Sequence, residues 1–147
     1  MIIQLALGSV VLLLSVLLMA PSAWALEAVF LRFQPWLMRE PHLPKLLLMV
    51  AGVCAWAVMM LTVGVWLWAE ALHLLGALPT LEACLYFALV SFSTLGYGDV
   101  VLPVEWRIFG AMAAVNGLLN FGLLTALLVE VMRHVRLGQV AHKRGNF

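Results

Sequence analysis

Charge is what this sequence most lacks. Asp, Glu, Lys and Arg make up 10% of its 147 residues, against roughly 25% in soluble domains. Apolar residues reach 65%, more than the single core of a chain this size can hide from water. The net charge is +1, and no basic cluster is long enough to suggest a nucleic-acid partner. Cysteine is scarce too: Cys54 and Cys84 both lie in apolar contexts. They permit a disulfide without implying one, and two small buried apolar residues is the plainer reading. There is no nucleotide or calcium motif, no arginine at every third position of a helix, and no internal repeat. No nucleophile–base pair or metal-ligand cluster stands out, so the expectation is a non-enzyme without a cofactor.

What is present is long charge-free runs. Met1 to Leu26, Leu46 to Ala69 and Ile108 to Val129 carry no charged residue. Each reaches the ~20 residues that cross a hydrocarbon core of ~30 Å. Backbone in lipid must satisfy its own hydrogen bonds, so helices are expected. A fourth charge-free run, Ala83 to Gly98, is shorter and ends in Gly-Tyr-Gly. It suits a re-entrant half-helix and loop surrounded by protein.

The basic residues are one-sided. Arg32, Arg39 and Lys45 lie between the first two spans; Arg133, Arg136, Lys143 and Arg144 follow the third; only Arg107 lies near the opposite end. The positive-inside rule then puts the N-terminus outside and the C-terminus in the cytoplasm of a cell inner (plasma) membrane. Glu70, Glu82, Asp99 and Glu105 collect on the outer side, where they would concentrate cations. The first apolar run, ending Ser22-Ala23-Trp24-Ala25, also has the form of a cleavable leader. The lack of a basic residue ahead of it and its length favour a retained helix. Cleavage would also invert the later spans against the charge bias.

The expected organisation is an all-α membrane protein in four parts. Residues 1–26 form a first transmembrane helix, 27–45 a cytoplasmic interfacial connector broken by Pro35, Pro41 and Pro44, 46–133 the main domain, and 134–147 a short cytoplasmic tail. Within the main domain an outer helix covers 46–69, a half-helix 81–92, a loop 94–99 and an inner helix 106–133. Thr80 is the expected N-cap of the half-helix, with Glu82 favourably placed in its first turn. Trp66, Trp68 and Trp106 suit an aromatic belt at the outer interface.

Thr94-Leu95-Gly96-Tyr97-Gly98-Asp99 resembles the selectivity filter of the tetrameric pore-loop potassium channels. The stretch from Asn116 to Ala126, with Gly117 and a Phe121-Gly122-x-x-Thr125 pattern, is similar to the inner helix of the small bacterial two-helix members. The resemblance covers roughly Leu46 to Arg136, and the first helix is extra to it. It implies a homotetramer in membrane lipid, each chain meeting three identical subunits around a central pore. Potassium would be the permeant ion, held at oxygens of Thr94, Leu95, Gly96, Tyr97 and Gly98 in place of its hydration shell. Tyr86 and Phe87 would support the filter by packing with Tyr97, and Asp99 would bond behind it. Asn116, Gly117, Asn120, Phe121 and Thr125 become candidates for cavity wall and hinge. The two asparagines fit interhelical hydrogen bonding equally well, and the glycine fits close packing. Glu130 and His134, one helical turn apart, form a candidate pH gate, or a surface ion pair.

Two positions depart from that family's pattern. Leu95 stands where valine or isoleucine is usual, and its side chain bears on the filter's width. Val90 stands where some relatives carry a glutamate bonded to the filter aspartate, which leaves Tyr86 as the candidate partner of Asp99. The expected function is therefore passive, potassium-selective conduction. The alternatives are a weakly selective monovalent cation channel and a non-conducting accessory or scaffold subunit.

Overall fold

The computed structural model describes the backbone of residues 1–37 and 42–145. It describes side chains over the same range except at 23, 30, 34–37, 42, 43, 46 and from 134 onward. Four helices follow one another: α1 (Ile2–Leu37), α2 (His42–Leu74), α3 (Leu81–Phe92) and α4 (Arg107–Gly145), with a 3-10 turn at Val104–Trp106 leading into α4. Three stretches are long and apolar enough to cross a membrane: Ile2–Phe33, Leu47–Leu74 and Val104–Arg133. The fold is thus all-α with three candidate spans, as the charge-free runs imply.

The helices are longer than the apolar runs. α1 has 36 residues, α2 33 and α4 39. At 1.5 Å per residue each extends about 50 Å or more, well beyond the ~30 Å core. Most of the segment read as a broken interfacial connector is therefore helix, and so is most of the segment read as a tail. Proline permits this. Pro44 is the third residue of α2, where its missing N–H is one of the orphan donors in any case. Pro35 falls in the last turn of α1. Pro41 lies outside the described residues.

Three contacts fix how α1 lies on α4. The Ile108 backbone N–H donates to Gln4 Oε1 at 3.1 Å, and Asn120 Nδ2 donates to Ser15 Oγ at 3.1 Å. Between them Gly8 passes so close to Met112 that a Cβ there would meet its sulfur at 2.3 Å. Partners advance together along both helices, so α1 and α4 run parallel. Gln4, Gly8, Ser15 and Met19 form the narrow buried stripe of α1; small residues at such spacing let backbones approach in a membrane. Val10, Leu13 and Leu17 of α1 are exposed, as suits a lipid-facing surface.

α2 runs the other way. Its Gly64 lies by Asn120 and Phe92, while its Trp68 packs on Phe109 with ring centroids 5.0 Å apart. The core sits where α2, α3 and α4 meet, built from Trp68, Leu72, Cys84, Ala88, Phe92 and Phe109. Trp68 is fully buried there, so it is a core residue rather than part of an aromatic belt. Trp66 keeps the exposed position.

Candidate functional site

α3 is short because its ends are marked. Thr80 adopts an extended conformation and its Oγ1 accepts from the Ala83 N–H at 3.2 Å, with Glu82 in the first turn. Both satisfy the positive end of the helix. Its far end is wedged between two glycines. A Cβ on Gly64 would meet the Phe92 ring at 2.7 Å, and one on Gly117 would lie 1.8 Å from the Phe92 carbonyl oxygen. Gly117 comes ten residues after the start of α4, so Phe92 lies roughly 15 Å along that helix, about half the depth of a ~30 Å core. α3 therefore descends to mid-membrane and stops, and the chain returns through residues 93–103 to the start of α4.

The returning loop has an unusual backbone. Thr94, Gly96 and Gly98 have φ of 60°, 59° and 76°. In an ordinary strand successive carbonyls point to opposite sides; inverting the hand of every second residue brings them toward one side. Glycine reaches positive φ at little cost. Thr94 does not, and is the one non-glycine among the described residues held there, at roughly 1–2 kcal/mol. Threonine carries no sequence signal for a left-handed conformation, so this position becomes visible only in the structure. Hydrogen bonds hold the turn: Thr94 N–H to Ser91 O at 2.9 Å, and both Leu95 N–H (3.0 Å) and Gly96 N–H (3.2 Å) to Val90 O.

Asp99 is anchored from two sides. The Tyr86 hydroxyl donates to its Oδ2 at 2.5 Å, and its Oδ1 accepts from the Val100 N–H at 3.0 Å. The Tyr86 hydroxyl, together with backbone N–H groups, holds the Asp99 carboxyl below its usual range, because each bond favours the charged form. With Val90 in place of an acid, Tyr86 is the partner, and the bond spans from α3 to the outer end of the loop. Behind the loop lies a small cavity of about 140 Å³ lined by Tyr86, Val90, Ser91, Gly96, Asp99 and Val100.

Within one chain the loop is covered on that side alone. Leu95 is 57% and Tyr97 68% exposed. Phe87 instead packs toward Gly110 of its own α4, where an added Cβ would meet its ring at 2.9 Å. Most of the Tyr97 side chain therefore lacks cover from its own chain.

A family model for ion channels matches residues 60–134. The chain belongs to the ion channel family. The match runs from within α2 through α3, the loop and most of α4, and leaves α1 outside it. No curated protein and no solved structure matches the chain.

The inner-helix candidates of this ion channel divide into two faces. Asn116 and Asn120 are buried inside the chain at 0% and 1% exposure, so neither forms a cavity wall. Asn120 is spent on Ser15 of α1, and both side-chain atoms of Asn116 lack a hydrogen-bond partner among the described residues. Gly117 is a packing glycine beneath Phe92, and α4 runs through it unbroken. Phe121 and Thr125 are exposed, with the Thr125 hydroxyl turned back to the Phe121 carbonyl at 2.7 Å.

At the far end of α4, Arg133 pairs with Glu130 through two bonds of 3.0 and 2.8 Å. Glu130 is thus engaged three residues on; the His134 side chain, its expected partner, lies outside the described residues. Cys54 and Cys84 are both free, one exposed and one buried. No group of three or more His, Cys, Asp or Glu that would hold a metal occurs among the described residues.

Proposed function

We propose that four copies of this chain form a potassium-selective channel, with Thr94 to Gly98 as the selectivity filter. The alternation of positive φ at Thr94, Gly96 and Gly98 carries the reading. It is a backbone suited to offering several carbonyls to one ion path, in a loop that returns from mid-membrane. Oxygens of Thr94, Leu95, Gly96, Tyr97 and Gly98 replace the hydration shell of K⁺, and ions advance by mutual displacement between adjacent sites. The C-terminus of α3 ends at half depth, where about half a negative charge per chain favours a cation. More than one chain is needed because carbonyls at that depth must face an ion or a donor rather than lipid.

The charge bias puts the filter mouth outside, the N-terminus outside and the C-terminus in the cytoplasm of the plasma membrane. Asp99, tied to Tyr86, adds a negative charge at the outer mouth.

The test is flux from purified protein in liposomes, with bi-ionic reversal potentials in potassium and sodium. Potassium-selective current abolished by Gly96→Ala is the expected result, since alanine at φ +59° is strained. Absence of flux from the wild type would leave a scaffold or accessory subunit. One observation favours a second reading, a weakly selective cation channel: Leu95 receives little cover from its own chain. Equal potassium and sodium permeability would establish that reading instead.

A further inference from the structure

A second cavity, of about 610 Å³, lies between α1 and α2 at the end of the molecule remote from the Thr94–Asp99 loop. Leu26, Val29 and Phe33 of α1 face Gly52 and Trp56 of α2, and Val131 of α4 closes the back. Val131 is 24 residues into α4, roughly 36 Å from its start, which puts the cavity at the opposite membrane surface. None of the described side chains lining it bears a charge or a hydroxyl. Apart from the indole of Trp56 it offers no side-chain group to a polar solute, and an apolar cavity of this kind does not retain water.

Its rim is different. Arg32 is exposed one turn beyond Val29 on α1, and half-buried Lys45 comes one turn before Leu48 and Met49 of the cavity wall on α2. Residues three or four apart share a helix face. Two cations thus stand at the mouth of an apolar slot at the depth of the lipid headgroups. That combination matches one ligand class in its surroundings: an apolar chain with an anionic head.

We propose that this cavity binds an anionic phospholipid of the adjacent leaflet, one acyl chain between α1 and α2 and the phosphate beside Arg32 and Lys45. The site lies outside the segment matched by the ion channel family and depends on α1. It rests on the membrane-spanning architecture, not on the ion conducted, so its failure and that of the proposed function are separable.

Gly52 supplies the test, because a Cβ there meets nothing within 4 Å. Gly52→Leu places an apolar side chain in the slot from a position whose Cβ is unobstructed. The full-length protein is reconstituted in vesicles of equal phosphatidylglycerol and phosphatidylcholine, extracted in detergent, and its retained lipid counted by native mass spectrometry. The wild type should retain phosphatidylglycerol in preference to phosphatidylcholine. Gly52→Leu should lower retention about tenfold, as expected from displacing the equivalent of two methylenes, with the helical circular dichroism unchanged. Arg32→Gln should keep retention but lose the preference for the anionic lipid. Equal retention by Gly52→Leu and wild type overturns the proposal, as does a wild type with no preference between the two lipids. A Gly52→Leu variant with unchanged lipid but a weakened oligomer overturns it too, because a second copy of the chain would then be the occupant.

Discussion

Gly117 and Gly122 lie five residues apart on one helix and meet opposite surroundings. A Cβ on Gly117 would lie 1.8 Å from a backbone oxygen, which cannot swing aside as a side chain does; a Cβ on Gly122 meets nothing within 4 Å. Gly117→Ala should therefore lower stability by about 3 kcal/mol, the upper end of overpacking costs. Gly122→Ala should be neutral or raise stability by up to about 1 kcal/mol, through helix propensity. Thermal unfolding in detergent reads both, and a tolerated Gly117→Ala would mean that α3 and α4 are not packed closely at Phe92. The Tyr86–Asp99 bond makes a second residue-scale test. Asp99 titrates below its ordinary value because of the Tyr86 hydroxyl. A depressed carboxyl contributes stability that is full above its unfolded pKa and is lost as pH falls through the folded one. For the wild type that window lies below about pH 4, so Asp99 should contribute no change in current across the neutral range. Tyr86→Phe should move the acid-sensitive limb upward, toward the ordinary carboxylate value. A pH–current profile identical to wild type would separate Asp99 from the loop's behaviour.

Among the elements, α1 depends most on polar contacts. Its link to α4 at mid-membrane is the Ser15–Asn120 bond, between two side chains that are both buried. Ser15→Ala leaves the Asn120 amide without that partner. Hydrogen bonds between membrane helices are worth about 0.6 to 2 kcal/mol, and a loss of that size should appear in thermal unfolding. In an Asn120→Leu background the same Ser15→Ala change should be nearly silent; additive losses would mean that the two side chains do not interact. The α3 boundaries were legible from sequence because Thr80 and Glu82 mark one end and the Gly-Tyr-Gly run marks the other. The direction in which the asparagines face was not. A polar pair one turn apart inside a span fits a water-filled cavity and a buried helix contact equally, and what decides is Ser15, more than a hundred positions away. Trp66 and Trp68 raise the same difficulty: an interfacial belt and a core both select tryptophan, and two residues' separation turns one outward and the other inward. The helical extent around Pro35 and Pro44 was missed because proline's effect depends on its distance from a helix end, and the ends were themselves the unknowns.

For the whole molecule, the governing fact is that α1 and α4 are parallel. Gln4 meets Ile108 near the start of both helices, and Ser15 meets Asn120 further along both. If α4 crosses from outside to inside, α1 must do so too, and α2 must return between them, as its antiparallel contacts with α4 require. Three spans in that order put the start of α1 and the end of α4 on opposite faces. The proposed orientation takes as the cytoplasmic face the end remote from the loop, where Arg32, Arg133 and their neighbours gather. Epitope tags at the two termini should accordingly behave differently in intact cells. The N-terminal tag should be reached by added antibody or protease, and the C-terminal tag only after permeabilisation. Tags on the same face would be incompatible with the parallel register. A reversed pair would keep the fold but place the Thr94–Asp99 loop on the cytoplasmic side, where Asp99 would meet the cell interior and the charge bias would have failed as a guide.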